Sequence, residues 1–204
     1  EVYYVTRYDG YWKGIEQYPT KNFGLKIIAD GKEITPGKAP IRGKCIRVEK
    51  ISHLAALQIK YTFCLQNKEL LETVELFSPE EIKSRCTYFF MHPWNPRFSS
   101  VQMRDTAGKE HSRTTARNNS HPFGMNVFFP AAAWHDARTK DTITTYITRQ
   151  PESGKMRRYI WDRKVYCKDY LVDFLNDTIP RNTKVIYRAK TVFSNGEAVL
   201  PSMF

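Results

Sequence analysis

The chain contains no C-x-x-C pair, no Gly-rich phosphate loop, no G-x-S-x-G elbow and no H-x-H or H-E-x-x-H spacing. Each absence removes a chemistry. A structural zinc site usually takes its ligands in close pairs, so that one turn aims two of them at the metal. The four cysteines, Cys45, Cys64, Cys86 and Cys167, are too far apart in sequence for that. They read instead as reduced core thiols, a pattern that favours an intracellular compartment. No cluster of carboxylates is suited to two magnesium ions, so neither a metal nor another cofactor is expected. No stretch approaches the roughly 18 consecutive apolar residues that span a bilayer. The longest apolar stretch, residues 127–134, is broken by Pro130, and no membrane partner is expected.

Acidic residues are scarce in one region only. Residues 1–82 hold 12 Lys+Arg and 11 Asp+Glu, whereas residues 83–204 hold 20 and 10. Nearly all of the net charge of +11 therefore lies in the last three-fifths of the chain. Arginine is prominent there, and its planar fork suits phosphate oxygens. A regional excess of this kind points to a polyanionic partner.

Length and composition are those of a folded domain. The 204 residues include 41% hydrophobic and 14% aromatic side chains, enough to bury a core without disulfides or metal. Residues 2–8, 11–18, 24–28 and 44–51 read as strands, with Asp9-Gly10 and Asp30-Gly31 as tight turns. Residues 57–65 alternate clearly, with Leu57, Ile59, Tyr61, Phe63 and Leu65 on one face. Ser78-Pro79-Glu80-Glu81 has the form of a helix start, and residues 86–91 and 124–129 are strand-like. Residues 142–149 and 155–167 read as a hairpin. Residues 169–176 read as a short amphipathic helix capped by Asp169 and stopped by Pro180. Residues 184–193 alternate again, with Val185, Tyr187 and Ala189 on one side and Lys184, Arg188 and Lys190 on the other. The expected fold is a single β-rich α+β domain spanning 1–204. It has an antiparallel sheet (open sheet, barrel or sandwich), two or three short helices and a long polar loop over 93–121.

Five constellations invite a chemical reading. Lys155, Arg157, Arg158, Arg163, Lys164 and Lys168 interleave with Tyr159, Trp161 and Tyr166. A sheet face of this composition can stack bases and hold phosphates, as single-strand binders do. Lys184, Arg188 and Lys190 form a second basic row, which is equally what a blunted edge strand would show. The stretch HSRTTARNNSHPFG, residues 111–124, adds Arg113 and Arg117 in a long aperiodic segment. His92, His111, His121 and His135 are the raw material for acid–base chemistry, with Lys109 or Arg113 nearby and a His135/Asp136 metal option. No spacing brings these histidines together, and no residue is assigned as catalytic. Residues 4–14, YVTRYDGYWKG, carry a partial K-x-D-G nucleotidyltransferase pattern. Arg7 stands where that chemistry needs a lysine nucleophile, and a guanidinium is not deprotonated in a protein.

The sequence therefore predicts a non-enzymatic nucleic-acid-binding or ribonucleoprotein domain, with RNA or single-stranded DNA as partner. Its expected contacts are Arg113, Arg117, Lys155, Arg157, Arg158, Tyr159, Trp161, Arg163, Lys164, Lys184, Arg188 and Lys190. The alternative is an assembly protein such as a viral coat subunit, a homo-oligomer packed around nucleic acid. A histidine-dependent nuclease ranks third.

Overall fold

The computed structural model describes residues 5–8, 11–14, 24–35, 37, 39–54, 56–83, 87–115, 127–151, 156–162, 167–173, 178–196 and 200. Its strands are β1 (Val5–Tyr8), β2 (Tyr11–Gly14), β3 (Gly24–Ala29), β4 (Lys32–Ile34), β5 (Cys45–Leu54) and β6 (Leu57–Gln66). They continue with β7 (Glu69–Phe77), β8 (Ile82–Lys83), β9 (Thr87–Trp94), β10 (Ser100–Arg104), β11 (Glu110–Thr114) and β12 (Ala131–His135). The last five are β13 (Asp141–Arg149), β14 (Met156–Asp162), β15 (Cys167–Asp173), β16 (Thr178–Ile179) and β17 (Lys184–Asn195).

A ten-stranded sheet runs β11-β10-β12-β13-β17-β7-β6-β5-β3-β4, and a five-stranded sheet runs β14-β15-β9-β1-β2. Every pairing is antiparallel. The two sheets pack face to face. Leu57, Ile59 and Tyr61 of β6, Val74 and Leu76 of β7, and Val185, Tyr187 and Ala189 of β17 meet Phe90, Met156 and Leu171 of the smaller sheet. A second cluster joins Trp134, Val101, Met103 and Ile143 to Ile160.

The alternation read in residues 184–193 is the burial pattern of β17, and that in 57–65 is the pattern of β6 as far as Tyr61, beyond which Phe63 is half-buried and Leu65 is 41% exposed. Asp30-Gly31 makes the turn between β3 and β4, with φ of 48° and 81°. The expected α+β class is corrected: no helix occurs among the described residues. Ser78 holds a bend, accepting from the Glu80 N–H at 3.3 Å, and the chain leaves it in the short strand β8. Within residues 169–176, Asp169–Asp173 belong to β15, laddered to β14 and β9 on its two edges. Two ladders outweigh a marginal short helix, because an isolated helix of eight residues is unstable in water.

The expected hairpin of 142–149 and 155–167 is also corrected. β13 lies between β12 and β17 in the large sheet, whereas β14 is an edge strand of the small one. The connection crosses between layers. β17 pairs with both β13 and β7, so its basic row is not an edge-blunting device. Inside residues 93–121, β10 and β11 form a hairpin of their own.

Candidate functional site

Two regions concentrate chemistry. The first is a buried polar seam between the sheets. In β14, Met156, Arg158 and Ile160 point inward, opposite Asp173, Leu171 and Asp169 of β15. In β9 a bulge sets two residues against one on β15, and Phe90 there has a φ of 51°. A bulge of this kind shifts the inward parity by one residue. Thr87 faces in before it, and His92 faces in after it.

His92 Nε2 lies 2.8 Å from Glu72 Oε2, and the Tyr61 hydroxyl donates to Glu72 Oε1. Burial alone would push the Glu72 carboxyl up, but His92 and Tyr61 hold it below the usual carboxylate range. Burial likewise opposes charge on His92, yet Glu72, with Asp169 behind it, raises the imidazole above its usual value. Further along the seam, the Arg158 Nε is 3.4 Å from Asp169 Oδ1. Both terminal nitrogens of Arg158 donate to the Thr145 carbonyl, at 3.3 and 3.4 Å. Trp134 Nε1–H donates to Asp169 Oδ2 at 3.2 Å. The Tyr187 hydroxyl donates to Asp173 at 2.7 Å. Burial first, and Asp173 second, push the Tyr187 phenol well above its usual value.

The Glu72–His92 pair has the composition of an acid–base couple. Its members are 1% and 6% exposed, however, and each is engaged by protein partners. The seam organises the interior rather than meeting a substrate.

This seam overturns the expected nucleic-acid surface. Arg158 is 1% exposed and neutralised by Asp169. Tyr159 stacks on Tyr170, with centroids 5.4 Å apart and planes 16° apart, so its ring face already has a partner. Lys184 pairs with Glu75 at 3.2 Å and Lys190 with Glu69 at 2.6 Å. Removing either lysine should change stability by no more than about 1 kcal/mol, because such surface pairs are weak. Urea unfolding of Lys184→Ala and Lys190→Ala measures this. Arg157 flanks Tyr159 and is half-buried, while Arg113 is exposed on the edge strand β11. Arg117, Lys155, Arg163 and Lys164, with the side chain of Trp161, lie outside the described residues.

The histidines do not converge. His111 Nε2 contacts Asp105 Oδ2 at 2.9 Å and meets Phe129 edge-on. His135 Nδ1 contacts Thr142 Oγ1 at 3.0 Å. Asp136 accepts from Thr139 and from the Arg138 N–H, which makes it a turn residue. Among the described residues, no three His, Cys, Asp or Glu side chains are grouped to hold a metal ion. His121 lies outside them.

The second region is an open cleft of about 480 Å³ at the rim of the sandwich. It is lined by Thr106, Phe128, Pro130, Ile147, Thr148, Arg149 and Gln150. Backbone geometry builds it. The Ile147 N–H donates to the Pro130 carbonyl at 2.9 Å, tying the lead into β12 to the end of β13. The β13–β17 register then slips between Ile147 and Arg149. That bulge re-aims the last side chains of β13, as bulges at sheet rims do. The lining mixes apolar Phe128, Pro130 and Ile147 with polar Thr106, Thr148, Arg149 and Gln150. The register partner of Arg149 is Arg188. Like charges directly opposite repel, and among the described residues neither arginine has an acidic partner. No sequence signal marked this cleft, because its residues come from three separate segments.

No family model matches the chain, and no curated protein matches it in sequence. Its fold is found in solved structures. Alpha-N-acetylgalactosaminidase NagBb from Bifidobacterium bifidum superposes with a TM-score of 0.59 at 6% identity. The GH36 alpha-galactosidase AgaA from Geobacillus stearothermophilus, in complex with raffinose, does so at 0.54 and 8%. The galactosidase domain of the alpha-galactosidase-sucrose kinase AgaSK does so at 0.54 and 9%. In each, 95% of this chain corresponds to 30% of the other. The chain thus spans under a third of the length of these proteins, and the likeness is one of fold. The expectation of a nucleic-acid-binding, ribonucleoprotein or capsid domain is corrected on two grounds. The sandwich is shared with carbohydrate-acting proteins, and among the described residues meant for nucleic acid Arg158 is buried, Tyr159 is stacked on Tyr170, and Lys184 and Lys190 are paired with glutamates.

Proposed function

We propose that this chain is a non-catalytic β-sandwich domain that binds an acidic saccharide in the cleft between Phe128 and Arg149. The carrying observation is the chemistry of that cleft. An aromatic ring and a proline offer apolar surface to the C–H face of a sugar ring. Thr106, Thr148 and Gln150 supply hydroxyl and amide groups that can fix the orientation of a sugar beside the apolar residues. Arg149, crowded by Arg188, supplies a fork suited to a carboxylate or sulfate. The net charge of +11 suits a polyanionic chain beyond the cleft itself. The fold shared with galactosidases favours a sugar as the scaffold that carries the negative charge.

Calorimetric titration with a galacturonic acid trisaccharide tests this, with raffinose as the neutral comparator. The trisaccharide should bind, and more weakly as salt rises. Arg149→Ala should weaken binding roughly tenfold or more, as loss of a charged hydrogen-bonded contact does. Equal binding of raffinose, or no binding of the trisaccharide, would contradict the proposal.

A further inference from the structure

We propose that Cys45 and Cys64 form a reversible cross-strand disulfide that locks β5 to β6. The two sulfurs lie 3.4 Å apart. Cys45 is opposite Gln66 and Arg47 is opposite Cys64, so the two cysteines are diagonal neighbours on one face of the sheet. That face is the outer one, because Ile59 and Tyr61 of the same strand point into the core. Both thiols are half-buried and so remain within reach of a small oxidant.

The surroundings hold both sulfurs in place. The N–H groups of Lys44 and Cys45 donate to Asp30 Oδ1 at 2.8 and 2.9 Å, pinning the start of β5 to the β3–β4 turn. Cys64 is fixed by ladders to β5 and β7 on its two sides. A disulfide bond is about 2.05 Å long. The sulfurs need approach by only about 1.4 Å from their 3.4 Å separation. Diagonal neighbours start wider apart than directly opposite ones, so closing the bond takes side-chain rotation together with a small shift of backbone at the start of β5, where Cys45 stands.

The oxidant is a low-molecular-weight disulfide. Cys45 loses its proton and attacks one sulfur of that disulfide, forming a mixed disulfide and releasing one small thiolate, which takes up the proton. Cys64 then loses its proton and attacks the Cys45 sulfur, and the second small thiolate leaves and is protonated. The protein gives up two electrons and two protons, and the small disulfide becomes two thiols. Cys64 suits the second, intramolecular step. Burial, with the contact from Cys45, holds its thiol above the usual range and makes it a poor first attacker.

The test is incubation of the full chain with oxidised glutathione, followed by peptide mapping under non-reducing conditions. The expected product is a crosslinked Cys45–Cys64 peptide pair, about 2 Da lighter than the two reduced peptides together, with no lasting glutathione on either. Cys64→Ser should instead retain one glutathione on Cys45. The oxidised wild type should also unfold a few degrees higher than the reduced form, with no such shift in Cys64→Ser. Two glutathione-bearing peptides, two unmodified thiols, or a crosslink of either residue to Cys86 or Cys167 would overturn the inference. The wild-type map decides the question by itself, even if the serine variant folds poorly.

Discussion

Replacing Arg158 with alanine should lower the unfolding free energy by about 3–5 kcal/mol, the usual cost of removing one partner from a buried ion pair. In a chain of this size the midpoint of thermal unfolding should fall by roughly 6–20 °C. The reason is local. Arg158 is 1% exposed, and its removal leaves the buried Asp169 carboxylate without its guanidinium and takes two donors from the Thr145 carbonyl. Removing both charges, in Arg158→Met with Asp169→Leu, should recover only part of the loss. The Trp134 indole N–H, which donates to Asp169, is then left unsatisfied, at about 1–3 kcal/mol. A surface-exposed, ligand-contacting arginine would behave differently, changing stability by less than about 0.5 kcal/mol. Urea denaturation of the three proteins separates these cases.

The second large effect concerns His92. Substituting alanine should cost about 3–5 kcal/mol near pH 6, because the Glu72 carboxylate is left buried without its cation. It should also reshape the pH profile. The ordinary imidazole value is 6.5, and Glu72 with Asp169 raises it in the fold, against burial and the nearby Arg158 charge. The stabilisation from the imidazolium is therefore complete below pH 6.5 and is lost as pH rises through the higher folded value. The ordinary Glu72 value is 4.5, and the fold lowers it. Its contribution is complete above pH 4.5 and is lost as pH falls through the lower folded value. Wild-type stability from this pair should thus be greatest between pH 4.5 and 6.5. A variant with glutamine at both positions should lose that maximum. Denaturation midpoints measured from pH 4 to 9 give the comparison, and an unchanged profile would remove the pair from the account.

Both effects arise at positions the sequence shows only indirectly. Strand β6 is legible because its apolar residues keep strict alternation, and β17 for the same reason. Strand β7 is harder to see, because a glutamate occupies an inward position beside Val74 and Leu76. Its turn from β6 uses Asn67-Lys68, both at positive φ, and lysine is not a usual sign of such a turn. Strand β12, AAAWH, has little intrinsic strand preference and forms because it is laddered on both sides. Strand β15 mimics a helix because Asp169 looks like a cap, when its carboxylate in fact serves Trp134 and Arg158.

The inward direction of Arg158 is hidden for a related reason. Alternation places Arg158 on the same face as Ile160, and a buried Ile160 carries Arg158 inward with it. That parity was the available signal. Composition pointed the other way, since arginine among aromatics is also what a phosphate-binding face shows. The cleft was invisible because Thr106, Phe128 and Arg149 come together only through the β10–β11 turn, the lead into β12 and the bulged end of β13.

The most direct test of the saccharide reading is to follow backbone amide resonances while the galacturonic acid trisaccharide is added. The account predicts progressive shifts at Thr106, Phe128 and residues 147–150, abolished in Arg149→Ala, with the amides of Glu72, His92 and Arg158 unmoved. No shifts, or shifts confined to other faces of the sandwich, would contradict it.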